Sequence, residues 1–203
     1  MMFFRRLALL ATAVALAACG NSEKARLANP NTSYLPATGS LATTQSPPAG
    51  YDPISYWDAD GVPGPPSVVI YLNEQRAYFY KGDQLVGVSQ VSAGREGYNT
   101  PPGNYKIIQK DRYHASNLYG DYVDAVGNIV QKDVALGKDP KPPGAIFKGA
   151  PMPFFMRITG GVGMHEGYLP GYPASHGCIR MPGKMAELFF SNVDIGTPVT
   201  IVR

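Results

Sequence analysis

Cysteine, histidine and tryptophan are scarce in this chain of 203 residues: there are two cysteines, three histidines and one tryptophan. Charge is sparse too, at 16% of residues against 44% hydrophobic, which is material for one ordinary globular domain plus whatever leader or linker precedes it. No apolar run reaches the roughly 20 residues of a transmembrane helix, because the longest, Leu7 to Ala18, stops at Cys19. His114, His165, His176 and Cys178 are zinc-ligand types, yet no pair has C-x₂₋₄-C or H-x₃₋₅-H spacing, so neither a metal nor any other cofactor is called for. Asp121 and Asp124 share a polar stretch with nothing to separate their pKa values, so they read as solvated carboxylates rather than a glycosidase pair. No internal repeat is present.

What the first residues do have is a basic pair, Arg5 and Arg6, an apolar stretch, and small residues before a cysteine. This is the pattern of a secretory signal peptide over residues 1–18. Leu16-Ala17-Ala18-Cys19 resembles the lipobox of bacterial lipoproteins, which implies a lipidated Cys19 as the mature N-terminus. Gly20, in place of an aspartate after that cysteine, points to a periplasmic protein held at the outer membrane. Removing residues 1–18 takes away Arg5 and Arg6 and no acid, so the formal charge falls by two, from +3 to +1. That leaves no basic patch for nucleic acid or an anionic membrane surface, and membrane contact would be through the lipid alone. Residues 19–66, rich in Pro, Ser, Thr, Asn, Ala and Gly, read as a flexible linker with a root-mean-square span of roughly 35 to 40 Å. Tyr56-Trp57-Asp58 interrupts it, and so large an aromatic pair is expected to dock on the surface of the domain that follows.

From Ser67 to Arg203 the texture is that of a folded domain. Ser67–Asn73, Arg76–Lys81 and Leu85–Val91 are β-branched and aromatic runs separated by Asn73-Glu74 and Gly82-Asp83, as in strands joined by tight turns. Tyr105–Ile108, Phe154–Ile158 and Pro198–Val202 continue the pattern. One helix is predicted from Pro182 to about Asn192, with Met185, Leu188 and Phe189 on its buried face. The domain is thus mainly β with one or two short helices. His114 to Gly144 is polar, Gly- and Pro-rich and weakly periodic, so it reads as a lid or a binding wall, with His114 a surface or lid residue within it.

With Cys19 assigned to the lipid, Cys178 is left as a lone thiol in an oxidising compartment, where thiols ordinarily pair. It sits in Ser175-His176-Gly177-Cys178-Ile179-Arg180, downstream of Met164-His165-Glu166-Gly167. A thiol attacks as thiolate, and an imidazole that takes its proton makes Cys plus His a minimal acyl-transfer engine. Proximity does not decide between His165 and His176, because Gly177 signals a turn between His176 and Cys178. The same glycine lets backbone N–H groups around Cys178 turn toward a developing oxyanion.

Ser-His-Gly-Cys-apolar-Arg with an upstream Met-His-x-Gly resembles the signature of the YkuD-like L,D-transpeptidase family. The likeness extends to Val69–Tyr80, to Ser92-Ala93-Gly94-Arg95 and to Thr100-Pro101-Pro102-Gly103-Asn104-Tyr105, covering residues 67–203. It implies a mixed β-sandwich or barrel-like fold. Cys178 would be the nucleophile and His165 the base, with its imidazole oriented by the Glu166 carbonyl. His176 and Gly177 would shape the oxyanion hole, and Ser175 and Arg180 would hold the loop or meet a substrate carboxylate. The implied partner is the peptidoglycan stem peptide: Cys178 attacks the carbonyl of its third residue, a diaminopimelate, and expels the terminal D-alanine. An amine of a second stem or of a protein lysine then resolves the thioester. Two departures stand out: the interval from His165 to Ser175 is short, and Glu166 replaces a small residue. An L,D-carboxypeptidase or endopeptidase of the same fold, and a non-catalytic wall-binding lipoprotein, are the alternative readings.

Overall fold

The computed structural model describes residues 54–203, so the leader, Cys19 and the linker up to residue 53 lie outside the described residues. The chain is mainly β, with thirteen strands and one helix among the described residues. Six strands form the first sheet in the order β1-β4-β3-β2-β13-β5, where β1 is Tyr56–Trp57, β2 Pro66–Tyr71, β3 Arg76–Lys81, β4 Gln84–Gln90, β5 Gly103–Lys106 and β13 Pro198–Val202. The hairpins β2-β3 and β3-β4 fall where the apolar runs predict them. Alternation along them puts Val68, Ile70, Ala77 and Phe79 on one buried face, and a bulge in β4 opposite Phe79 and Tyr80 brings Val86 into the same core.

The Tyr56-Trp57 patch is more deeply built in than a surface docking. Tyr56 and Trp57 pair with Val88 and Gly87 of β4. The Trp57 ring stands 4.9 Å from that of Phe79 and 5.8 Å from that of Phe189. A Cβ on Gly87 would lie 2.6 Å from Trp57 Cε3, so glycine there is what lets the indole into the core. The packed body therefore begins N-terminal to Ser67.

The second sheet has the order β12-β11-β10-β6, with β6 Gln109–Asp111, β10 Phe155–Thr159, β11 Val162–Glu166 and β12 Ile179–Met181. The run Tyr105–Ile108 is split rather than a single strand. The chain leaves the first sheet after Lys106 and enters the second at Gln109, with Ile107 fully buried at the corner. The helix, α1, spans Gly183–Asn192, with Pro182 as N-cap residue and the Val193 N–H bonded to the Phe189 carbonyl. It buries Met185, Ala186 and Phe189 against β10 and β11. One continuous core, including Ile70, Phe79, Met156, Met164, Ile179 and Phe189, joins the first sheet, the second sheet and α1.

The stretch from His114 onward is not a loop. It holds β7 (Ala115–Val123) and β8 (Ile129–Ala135), which with β9 (Ile146–Pro151) form a third sheet in the order β8-β7-β9. Register shifts between Gly120, Tyr122 and Val123 break the period-2 pattern, which is why it reads as aperiodic. Tyr122, Val134 and Ala145 give it a small core of its own. Asp121 and Asp124 are not simply solvated: Asp121 accepts the Asp133 N–H at 3.0 Å, and Asp124 accepts the N–H groups of Val126 and Asn128 in the β7-β8 turn. The Asn128 side-chain amide, donating to Asp124 Oδ2 at 3.0 Å, and then the Asn128 N–H hold the Asp124 carboxyl below its ordinary range.

Truncating the buried indole tests the N-terminal boundary. Trp57→Ala is expected to cost about 3 to 5 kcal/mol of stability by urea unfolding, and Gly87→Val to destabilise by displacing the same ring. A Trp57→Ala variant as stable as the parent would mean β1 is a dispensable attachment.

Candidate active site

Strands β11 and β12 run parallel, with Met164 opposite Ile179, His165 opposite Arg180 and Glu166 opposite Met181. The side chains of His165 and Arg180 consequently share a face, and Met164 and Ile179 occupy the other, in the core. Cys178 immediately precedes β12 and has the same parity as Arg180, so it joins that face. The cleft over it has a volume of about 320 Å³ and is lined by Cys178, His165, Ser175, His176 and Arg180 together. All the sequence-predicted side chains from the two motifs thus come to one place; Cys19 lies outside the described residues.

His165 is buried and its Nδ1 lies 2.6 Å from the Glu166 carbonyl oxygen. A carbonyl can only accept, so Nδ1 carries the proton and Nε2 keeps a lone pair for the cleft. Burial drives the His165 pKa down from 6.5 to about 4, with the Glu166 carbonyl pulling it up and Arg180 and His114 adding to the depression. Alternation sends the Glu166 side chain the opposite way, where its carboxylate lies over Gly183 at the start of α1. A negative group is favourable at a helix N-terminus. The carboxylate of the unusual residue after His165 is thus turned toward α1, while Glu166 still lines the cleft and its carbonyl meets His165.

His176 cannot serve as the base. Its Nε2 is 2.8 Å from Arg95 Nη2, a pure donor, so the lone pair is already used. Its ring stacks on Tyr119 of β7 at 4.2 Å and meets Tyr98 edge-on at 4.7 Å. Burial and then the charges of Arg95 and Arg180 lower its pKa.

Cys178 is half-buried, with its thiol donating to the Gly161 carbonyl at 3.4 Å. Burial pushes its thiol pKa up, opposed by the Gly163 amide and the charges of Arg180 and Arg157. The resting pair at neutral pH is thus thiol and neutral imidazole, not thiolate and imidazolium.

The turn carrying Cys178 is clamped from behind. Ser175 Oγ donates to the Cys178 carbonyl at 2.5 Å and accepts the Gly177 N–H at 3.0 Å. Gly177 has φ +110, a conformation that excludes a Cβ without strain. Thr100, buried, donates its hydroxyl to the Gly177 carbonyl at 2.8 Å and accepts the Gly94 N–H at 2.9 Å. Ser92 and Arg180 exchange backbone hydrogen bonds at 2.9 and 3.0 Å. The Gly177 N–H is therefore spent inside the turn, and Gly177 contributes the backbone conformation of that turn. The Cys178 N–H makes no hydrogen bond among the described residues. Arg180 is half-buried and forms no ion pair among the described residues, so its charge is open to a ligand.

The sequence motifs pass over several residues that line the cleft or support it. Arg95 and Thr100 fall within stretches that the family likeness touches, but nothing in composition marks them as buttresses. Tyr119 comes from the stretch that reads as aperiodic, and its contact with His176 exists only once β7 folds back. His114 lines the cleft with Cys178, beyond the surface or lid position its polar neighbours suggest.

Residues 65–201 match the family described as YkuD, the L,D-transpeptidase catalytic domain. Among curated protein sequences none matches the chain. Solved structures share the fold. An L,D-transpeptidase from Stackebrandtia nassauensis is 18% identical with TM-score 0.50, over 68% of this chain and 56% of that one. A cysteine-to-serine mutant of the Enterococcus faecium L,D-transpeptidase is 22% identical with TM-score 0.51, over 68% and 50%. An L,D-transpeptidase from Mycobacterium smegmatis is 16% identical with TM-score 0.53, over 77% and 69%. The matched part spans between half and about two-thirds of the length of these proteins.

The depressed His165 pKa has a consequence for stability. The unfolded chain takes up a proton near pH 6.5 whereas the folded one does so only near pH 4. Stability from this group is complete above pH 6.5 and is lost as pH falls toward 4, by roughly 2 to 3 kcal/mol at pH 4.5. Urea unfolding at pH 7.5 and 4.5 should show a gap between the two conditions that narrows by that amount in His165→Gln; an unchanged gap would contradict a neutral buried imidazole.

Proposed function

Because the chain belongs to the YkuD family of L,D-transpeptidase catalytic domains, we propose that it is a cysteine-dependent L,D-transpeptidase working on peptidoglycan stem peptides through a Cys178 thioester. The observation that carries this reading is the His165 imidazole, oriented by the Glu166 carbonyl and lining the same cleft as the Cys178 thiol. In the first half-reaction the Cys178 proton passes to His165 Nε2 as Sγ adds to the carbonyl of the diaminopimelate residue. The oxyanion is met by the Cys178 N–H. As the tetrahedral centre collapses, the bond to the terminal D-alanine breaks and His165 returns the proton to the leaving amine. Arg180, a half-buried cation without an acidic partner among the described residues, suits a stem-peptide carboxylate.

In the second half-reaction an amine of another stem gives a 3→3 cross-link, a protein lysine gives a wall-attached protein, and water gives a trimmed tripeptide. We favour the amine, and the hydrolytic outcome is the second reading. The experiment is incubation of the protein and its Cys178→Ser variant with disaccharide-tetrapeptide, with mass spectrometric reading of products. A Cys178-dependent dimer lacking one D-alanine is expected, with the rate down about 10²- to 10⁴-fold in His165→Gln. A monomer lacking D-alanine would replace transpeptidation by carboxypeptidase activity. No change in either protein, together with no carbapenem adduct on Cys178, would overturn the enzyme reading.

The reading extends to location: the leader pattern supports a periplasmic enzyme tethered at the outer membrane through lipid on Cys19. Cys19→Ser should move the protein from the membrane fraction to the soluble fraction in cell fractionation, and persistence in the membrane fraction would count against the lipid tether.

A further inference from the structure

The β10 wall of the cleft carries a cation that neither half-reaction uses. Arg157 and Phe155 lie two apart on that strand, so alternation turns both to the same face, and both line the cleft. The guanidinium is held from three directions: Nε donates to Gln109 Oε1 at 2.7 Å, Nη1 donates to the Gly160 carbonyl at 2.6 Å, and the group lies 5.0 Å from the centre of the Phe155 ring. That ring is seated in turn by Gly163, where a Cβ would come within 2.5 Å of it. Among the described residues Nη2 makes no hydrogen bond and the charge has no acidic partner. Glu166, the acid that lines the cleft, has its carboxylate turned toward α1. A guanidinium already fixed in place loses little freedom on binding, and its open donor edge fits a carboxylate.

We propose that Arg157 is a specificity-determining residue that binds the side-chain carboxylate of the donor diaminopimelate; this rests on the transpeptidase reading above. One turn relates the guanidinium to the thiol. Arg157 Nη1 meets the Gly160 carbonyl, and the Cys178 thiol meets the carbonyl of the next residue, Gly161, at 3.4 Å. Consecutive Cα atoms are about 3.8 Å apart, so guanidinium and sulfur are separated by no more than roughly 11 Å. In diaminopimelate the attacked carbonyl and the far carboxylate are joined by six C–C bonds, which span roughly 7.5 Å when extended. Bond formation at the sulfur and an N–H···O contact of about 2.8 Å at the guanidinium make up the rest. The strand order β12-β11-β10 places Arg180 and Arg157 on either side of His165, so the cleft offers separate cations to two carboxylates of one donor. A donor whose side chain ends in a carboxamide would leave the Arg157 charge unanswered in a partly buried place, and the cleft should discriminate against it.

The test measures Cys178 acylation in the full chain, by rapid quench and intact-protein mass spectrometry, with disaccharide-tetrapeptide donors. One donor is the free acid, one carries a carboxamide at the diaminopimelate side chain, and one a carboxamide at the second residue of the stem. The unsubstituted protein should prefer the free acid over the diaminopimelate carboxamide by about 10- to 100-fold in kcat/KM, with most of the difference in KM. In Arg157→Gln that preference should disappear because the free acid loses rate and the carboxamide does not, and Arg157→Lys should restore part of it. An unsubstituted protein that takes both donors equally would overturn the proposal, whether or not any variant folds. So would an unchanged preference in Arg157→Gln, or a preference that follows the second-residue carboxamide instead. An equal loss on all donors in Arg157→Gln would also overturn it, and would make Arg157 a support of the Gly160 turn. Failure of the unsubstituted protein to form an adduct with any donor would remove the transpeptidase reading first, and this proposal with it.

Discussion

The site depends on a parallel pairing of two short strands. With His165 opposite Arg180, every side chain that faces the cleft from β11 and β12 is assigned by parity, and a one-residue slip of β12 would bury Cys178 and turn Ile179 to the cleft. Parallel neighbours need a crossover of about a dozen residues. The connection here, Gly167 to Cys178, is close to that minimum, so the short interval between His165 and Ser175 is near the least the topology permits. Having almost no spare length, the crossover ends in a turn that must both close the connection and present the thiol. That explains why Ser175, Gly177 and Thr100 spend their hydrogen bonds on the turn itself.

The electrostatics follow from the same burial. Seating His165 and Cys178 where core and cleft meet disfavours charge on both, so the resting site is uncharged at its reacting atoms while Arg180 and Arg157 stand close to the sulfur. Those cations favour the thiolate as it forms and oppose an imidazolium. The site is thus biased toward proton transfer coupled to attack, with charge appearing only when there is a carbonyl to receive it.

Much of this is legible in the residues. The hairpins β2-β3-β4, the helix after Pro182 and the terminal strand follow from apolar period and turn residues. The family likeness names Cys178 and His165, and their cleft is where β11 and β12 bring them. What escapes is whatever depends on a contact between distant segments. The Trp57 indole looks like a surface patch because its partner is a glycine on β4, which leaves no apolar signal. The third sheet looks like a loop because its bulges interrupt alternation at the centre of β7. The choice between His165 and His176 cannot be made from spacing, since it turns on Arg95 occupying one ring nitrogen, and Arg95 is eighty-one positions away in the chain.

The place of Trp57 also separates two parts of the fold mechanically. Among the described residues β1 is an edge strand, joined to β4 by two residue pairs, by the bonds from the Gln90 N–H to Ser55 Oγ and from the Asp58 N–H to the Val86 carbonyl, and packed on the core by its indole, in a different sheet from β11 and β12. Yielding at that edge would release Trp57 from Phe79 and Phe189 while the pairing of β11 with β12 stays intact, so strain at the N-terminal margin of the described fold is dissipated away from the thiol and its base.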